Sequence, residues 1–249
     1  MSRDGQSHLL LYHALASSAS RKVRFCLAEK HLHYDERLIS ILDHEQLEEW
    51  YLRIHPEGIV PALEIDGRVF VDSNLINEYL DARFPGPPLR PDSAEERYEL
   101  QRWSQYIDTV IRRAVVKFNF AHAISPIIAK WSDEKLEKIL NAIPTEERRQ
   151  LWWRTARKPY TEPELTAAIE LLLHMADEIE CRLEESKWLF GGRFGLGEIN
   201  TTPYVKRLSE IDPEAVSNNV RPGLADWWQR IIARPAYAQS RIENFNPRR

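Results

Sequence analysis

A proline-rich segment at residues 85–91 separates two parts of the sequence that differ in hydrophobic pattern. The first part contains short apolar runs of strand length together with apolar residues at helical spacing. After Asp92 the strand-like runs end, and apolar side chains recur every three or four residues over long stretches. One layered architecture does not accommodate both patterns. We therefore predict an α/β domain over residues 8–85, a linker over residues 86–93 and an all-α helical bundle over residues 94–249.

The first part contains four strand-like segments in the order βαβ and then ββα, with an acidic helix predicted over residues 43–54 between them. Its clearest signal is a hairpin over residues 63–71, because apolar residues alternate on both sides of an Asp-Gly pair. This order predicts one mixed sheet with helices packed on it, which is the thioredoxin-like fold.

The first predicted helix spans residues 18–30, and a serine at position 17 or 18 is a suitable N-cap. Val23, Cys26 and Leu27 form its apolar face. Its charged residues are predicted to lie on the solvent-exposed face: Arg21, Lys22, Arg24 and Glu29.

Composition favours a folded cytoplasmic protein. Of the 249 residues, 43% are hydrophobic, and no apolar stretch is long enough to span a membrane. Residues 1–8 are polar and lack the apolar core of a secretory signal. Cys26 and Cys181 are too few for a disulfide framework, which favours a reducing compartment. The net charge of −4 argues against a nucleic-acid partner, and isolated histidines such as His31 argue against a metal site.

A polar segment over residues 125–163 interrupts the helical pattern of the second part. It contains Trp152 and Trp153 among basic residues, an arrangement that also occurs in single-strand nucleic-acid sites. Because the chain is acidic overall, the preferred interpretation is a helix that packs its tryptophan face on the protein and keeps its cations solvated.

The loop between the first strand and the first helix carries Ser17 and Ser20 where a thioredoxin-like protein has its Cys-x-x-Cys pair, so disulfide exchange is excluded. A hydroxyl at a helix N-terminus can instead stabilise an anion, together with free N–H groups and the helix dipole. A bound thiolate is such an anion, and about 1.4 kcal/mol in its favour lowers a thiol pKa by about one unit. Taken alone, the pattern is more often a simple helix cap.

Two further loops are predicted at the same edge of the sheet. Val60-Pro61 precedes the third strand, where a cis bond would leave the backbone of Val60 free to pair with an extended peptide. Asp72 and Ser73 begin a helix after the fourth strand. The carboxylate there can bind an ammonium group and the N–H groups can bind a carboxylate, although a plain helix cap is the simpler interpretation. Together the three loops offer what glutathione needs.

Three motifs in order resemble those of the glutathione transferase family. Residues 12–24 resemble its first strand–helix junction, residues 55–63 its N-P-x-G-x-V-P-x-L run, and residues 72–80 its E-S-x-x-I-x-x-Y-L helix. The resemblance covers the full length of the chain. Within the family, the long segment at residues 125–163 is similar to the bacterial lignin β-aryl-etherase type.

The resemblance implies glutathione as co-substrate, with no metal, and an apolar aromatic electrophile as second substrate. In the etherase type, the thiolate attacks the carbon that bears an aryl ether. Ser17 or Ser20 would activate the thiol, with Ser17 slightly favoured. The other glutathione contacts would come from Ser18, Ile59, Val60, Pro61, Asp72 and Ser73.

Other functions on the same scaffold stay open: general conjugation of electrophiles, glutathione-dependent isomerisation, peroxide reduction, or a non-catalytic binding module. The resemblance also implies a dimer, either of identical chains or with a paralogue. One departure concerns the family's S-x-A-D helix start, which here has Gly195 and Glu198 at its ends; Glu198 is still expected to form a capping box.

Overall fold

The computed structural model describes residues 7–243. Residues 1–6, in the polar N-terminus, and residues 244–249, at the end of the predicted helical domain, lie outside the described residues. The first part of the chain forms a four-stranded sheet in the order β2-β1-β3-β4. Its elements are β1 (Leu9–His13), α1 (Ser18–Glu29), β2 (Asp35–Leu38), α2 (Glu49–Leu52), β3 (Ala62–Ile65), β4 (Arg68–Val71) and α3 (Ser73–Arg83).

Strand pairing brings three chain segments to one end of this sheet. β1 is parallel to β2 and antiparallel to β3, and β3 is antiparallel to β4. Tyr12 pairs with Ala62, and Ala62 pairs with Val71. The end of β1, the start of β3 and the end of β4 therefore lie side by side. The thioredoxin-like order is confirmed, and so is the hairpin, since Asp66 and Gly67 both have the positive φ of a type I′ turn.

The acidic helix predicted over residues 43–54 is only partly confirmed. A 3₁₀ turn, Glu45–Leu47, and the single-turn helix α2 replace it, and His44 before them has a positive φ of 61°. A left-handed residue at that point prevents a continuous helix.

The described residues after Asp92 form helices and contain no strand. These helices are α4 (Ala94–Tyr106), α5 (Arg112–Asn119), α6 (Ser125–Ile128), α7 (Asp133–Ala142), α8 (Glu146–Arg157), α9 (Glu162–Glu185), α10 (Leu196–Ile211), α11 (Pro222–Ile232) and α12 (Pro235–Gln239). Two π-helical segments, Ile107–Ile111 and Phe120–Ile124, join α4, α5 and α6 into one long helix with two wide turns. The all-helical second part is confirmed, and the division of the chain at residues 86–93 stays a prediction.

The polar segment forms α6 and then a hairpin of α7 and α8, called here the α7–α8 hairpin. It has its own apolar cluster, in which Trp152 is 4% exposed. The ring of His44 packs edge-on against Trp131 and Trp152, at 5.3 and 5.1 Å between centroids, so the hairpin covers the segment between β2 and α2. The predicted tryptophan packing is thus correct for Trp152, whereas Trp153 is 50% exposed.

The solvated face predicted for α1 is wrong. Arg21, Lys22 and Arg24 are all at most 1% exposed, because α10 and α12 pack on α1 from the second part of the chain. Buried cations are tolerated when they have partners. Lys22 donates to Asp108 at 2.7 Å, and Arg24 donates from Nε to the carbonyl of Ser240 at 2.7 Å.

Gly195 stands where the family's S-x-A-D helix start has serine, and the structure at the start of α10 explains this glycine. A Cβ on Gly195 would lie 2.2 Å from the carbonyl oxygen of Leu89, so the close approach of the linker requires glycine. Glu198 is fully buried and accepts hydrogen bonds from the N–H groups of Gly195 at 2.9 Å and Leu189 at 2.6 Å. The predicted capping box is confirmed, and burial raises the pKa of Glu198 to about 7.

Candidate functional site

Ser17 is the N-cap of α1, at the end of the loop that follows β1. Its Oγ accepts a hydrogen bond from the N–H of Ser20 at 3.2 Å, as an N-cap does. The Ser17 hydroxyl hydrogen and the N–H groups of Ser18 and Ala19 have no partner among residues 7–243. Since Ser17 is half-buried and reachable from solvent, this helix start presents several free donors to an anion.

Ser20 lies one turn further along α1 and is fully buried. Its Oγ is 3.4 Å from the backbone nitrogen of Ala14 and accepts a hydrogen bond from it, which supports the loop between β1 and α1 from inside. The two candidate serines therefore differ in accessibility. Of these two serines, only Ser17 is partly exposed to solvent.

The backbone before β3 is held in place from two sides. The Val60–Pro61 bond is cis, and neither the N–H nor the C=O of Val60 has a partner in the described part of the chain. The buried Tyr51 donates its hydroxyl to the carbonyl of Ile59 at 2.7 Å. Gly58 has a φ of 60°, and a Cβ there would lie 2.8 Å from the carbonyl oxygen of Gln46. A fixed loop with a free peptide unit is suited to pairing with an extended ligand.

The N-terminus of α3 also retains unused polar groups. One carboxylate oxygen of Asp72 caps the helix by accepting from the N–H groups of Asn74 at 2.9 Å and Leu75 at 3.1 Å. Its second oxygen has no partner among the described residues, and the same holds for the N–H and hydroxyl of Ser73. Asp72 therefore caps the helix as predicted. Its second carboxylate oxygen can still accept from an ammonium group, and the two donors of Ser73 can bind a carboxylate.

A network that the sequence patterns did not reveal connects α1, α3 and the first π-helical segment. Lys22 donates to Asn74 at 3.0 Å and to Asp108 at 2.7 Å, and Asn74 donates to the second oxygen of Asp108 at 2.6 Å. Burial lowers the pKa of Lys22, and the carboxylate of Asp108 opposes this effect. The network fixes Asn74 and hence the helix start that carries Asp72 and Ser73.

A second network holds the loop between β1 and α1. Arg24 donates to the carbonyls of Ala14 at 3.3 Å and Leu15 at 3.2 Å, and from Nη1 to Nδ1 of His13 at 3.1 Å. Because a guanidinium can only donate, Nδ1 is the acceptor, so Nε2 carries the hydrogen and donates to Glu36 at 3.1 Å. Burial, and then the charge of Arg24, lowers the pKa of His13 to about 4. Glu36 is also paired with Arg241.

The sequence patterns did not indicate the contacts of two residues at the site. Arg148 of α8 donates from Nη1 to the carbonyl of Glu57 in the loop before β3. His55, in the same loop, is 5% exposed, and its Nδ1 has no partner among residues 7–243. Arg148 belongs to no cap, turn or apolar stripe that would have indicated its contact. His55 begins the run at residues 55–63, and its carbonyl accepts a hydrogen bond from the N–H of Gly58 at 2.8 Å in a turn, but neither feature indicated its burial.

A cavity in the helical part of the chain lies away from the predicted glutathione contacts. Trp103 and Tyr106 border a cavity of about 260 Å³ between α4 and α9, together with His174 and Arg182. None of the predicted glutathione contacts borders it. Within residues 7–243, no cluster of acidic, histidine or cysteine side chains fits a metal ion, and no helix has the length and apolarity of a membrane span.

Family models match both parts of the chain. The model of the glutathione S-transferase N-terminal domain matches residues 11–88, and that of the C-terminal domain matches residues 128–235. The first of these matches includes every predicted glutathione contact.

Several related proteins match over nearly the whole chain. LigF of Sphingobium sp. strain SYK-6 is 31% identical over 234 residues, covering 92% of this chain and 91% of LigF. The crystal structure of β-etherase LigF has a TM-score of 0.85 at 29% identity and covers 95% of this chain and 99% of LigF. A probable maleylacetoacetate isomerase of Vibrio cholerae is 28% identical, with 95% and 96% coverage. The chain belongs to the glutathione S-transferase family.

Proposed function

We propose that this protein binds glutathione at the loops around Ser17, Val60 and Asp72 and activates its thiol for attack on an aromatic electrophile. The observation that carries the proposal is the set of unused polar groups at one end of the sheet. They comprise the hydroxyl of Ser17, the peptide unit of Val60, and the free oxygen and donors of Asp72 and Ser73. Within this proposal, Ile59 and Pro61 shape the clamp, and the first N–H groups of α1 add donors for the sulfur.

The γ-glutamyl and cysteinyl parts of glutathione would each meet a matching group. Asp72 would accept from the γ-glutamyl ammonium, and Ser73 would donate to the carboxylate beside it. Val60 would exchange backbone hydrogen bonds with the cysteinyl residue. Ser17 would donate its hydroxyl hydrogen to the sulfur, which favours the thiolate, because a hydrogen bond to the charged form lowers a pKa.

We further propose cleavage of a β-aryl ether as the reaction, which the likeness to β-etherase LigF over 95% of this chain supports. Bound glutathione supplies the nucleophile: a carbon–sulfur bond forms, the carbon–oxygen bond breaks, and the aryl oxygen leaves as phenolate with the electron pair. This chain contributes positioning and stabilisation of the sulfur anion, and no side chain acts as nucleophile. We place the protein in the cytoplasm, as a dimer of identical chains or with a paralogue.

Glutathione-dependent isomerisation is the second candidate. The isomerase relative in Vibrio cholerae matches at nearly the same identity and coverage as LigF, which gives this candidate specific support. Turnover of a model β-aryl ether, maleylacetone, chlorodinitrobenzene and an organic peroxide, measured side by side, separates the activities.

Removing the Ser17 hydroxyl tests the proposal. S17A is expected to lower kcat about 10- to 100-fold and to raise the pKa of the bound thiol, because a hydrogen bond to a charged group contributes ~1.5–3 kcal/mol. The pKa is measured from the ultraviolet absorbance of the thiolate against pH, and kcat on the preferred substrate.

S20A is the matched control. Its buried hydroxyl is expected to affect thermal stability and to leave the pKa of the bound thiol unchanged. A normal thiol pKa and kcat in S17A would exclude Ser17 as the activating group. If calorimetry shows that the wild-type protein does not bind glutathione, the whole proposal is wrong.

A further inference from the structure

Arg148 extends from α8 to the loop that forms the proposed peptide clamp. Its Nη1 donates to the carbonyl oxygen of Glu57, which lies 91 positions earlier in the chain and three residues before Val60. Arg148 is half-buried in this position. The α7–α8 hairpin, through its contacts with His44, carries this guanidinium to the edge of the sheet.

The positive charge of Arg148 lacks an anionic partner among residues 7–243, where no carboxylate oxygen lies within 4.0 Å of it. The adjacent Arg149 does have one, since it pairs with Glu146 at 2.9 Å. Burial lowers the pKa of Arg148, and the more distant carboxylate of Glu57 opposes this effect. A partly desolvated cation without a counter-charge is unfavourable until an anion binds to it.

Strand geometry indicates which anion would bind to Arg148. An antiparallel peptide runs in the direction opposite to the chain at Val60. If its first residue lies toward Asp72, its last residue therefore lies toward the residues that precede Val60 in the chain. Asp72 follows β4 beside the start of β3, as the pairing of Ala62 with Val71 shows. The γ-glutamyl end of glutathione would therefore lie toward Asp72, and its glycine would lie toward Glu57 and Arg148.

We propose that Arg148 binds the glycine carboxylate of glutathione, so that the α7–α8 hairpin completes the glutathione site. This inference rests on the proposed function and assigns the far end of the same ligand. The guanidinium has five N–H donors, of which one is used for Glu57, and the remaining ones have no partner among the described residues. A carboxylate can accept two of them in parallel.

Ligands that differ only at the glycine test the proposal by calorimetry. The probes are glutathione, γ-glutamylcysteine, which lacks the glycine, and the glutathione ester in which the glycine carboxylate is uncharged. The wild-type protein is expected to bind glutathione about 10- to 100-fold more tightly than either of the other two. In R148Q this preference is expected to disappear, with the affinity for γ-glutamylcysteine unchanged, and R148K is expected to retain part of it.

R113Q is the matched control, because Arg113 pairs with Glu147 of α8 at 3.2 Å and is exposed. It is expected to retain the full preference for glutathione. A wild-type protein that binds glutathione and γ-glutamylcysteine equally well would overturn the proposal. An equal loss for both ligands in R148Q would overturn it too, since Arg148 would then only support the loop. If the wild-type protein binds none of the three probes, the proposed function fails together with this inference.

Discussion

Acidification is expected to destabilise the protein through His13. The folded chain holds this ring neutral, because Nδ1 accepts from Arg24 and burial lowers the pKa from the ordinary 6.5 to about 4. Between these two pH values the unfolded chain binds a proton that the folded chain does not, so stability falls as the pH decreases through that interval. One pKa unit corresponds to about 1.4 kcal/mol, and the whole interval therefore corresponds to roughly 3 kcal/mol.

The variant H13Q isolates this contribution. Glutamine offers an acceptor for Arg24 and a donor for Glu36, but it does not bind a proton in this range. Urea unfolding of wild type and H13Q at about pH 7 and about pH 4 gives the loss of unfolding free energy for each protein. The wild-type loss is expected to exceed the H13Q loss by roughly 3 kcal/mol.

His174, which is exposed on α9, provides the control, and H174Q is expected to follow the wild type. Equal losses in wild type and H13Q would refute the reasoning. They would mean that His13 is protonated in the folded chain, and that the Arg24 contact does not fix its neutral form.

Two further predictions concern the groups around the site. K22M is expected to lower the unfolding free energy by about 2–4 kcal/mol in denaturant titration, because it leaves Asp108 without its cation, and adding D108N is expected to restore part of that loss. An additive effect of the two changes would contradict the pairing. G58A is expected to cost about 1–3 kcal/mol of stability and to weaken glutathione binding in calorimetry, since the left-handed φ and the nearby carbonyl exclude a Cβ. Wild-type affinity in G58A would show that the loop shape does not matter for the clamp.

The parts of the fold and site that could be predicted are those with local causes. The hairpin follows from Asp66 and Gly67, and the helix starts at Ser17 and Asp72 follow from capping chemistry. These features need only a few neighbouring residues, and the sequence displays them directly.

The parts that could not be predicted depend on contacts between distant segments. Lys22 and Arg24 occupy positions typical of a solvated helix face, and they are buried because helices of the second part cover them. Arg148 similarly resembles any cation of a polar helix, and only the tertiary fold brings it to the carbonyl of Glu57. No periodic pattern in the neighbouring sequence indicates that Lys22 and Arg24 are buried or that Arg148 contacts Glu57.

The contacts of α1 have a consequence for how the protein is made. Arg24 on this helix donates to the carbonyl of Ser240, 216 positions later, and Glu29 pairs with Arg234 at 2.5 Å. A ribosome therefore releases the N-terminal domain that the family model matches long before the last residues that pack on its first helix have been synthesised. A chain truncated before residue 234 retains α10 but lacks the contacts that Arg234, Ser240 and α12 make with α1, so the basic side chains of this helix are less well covered.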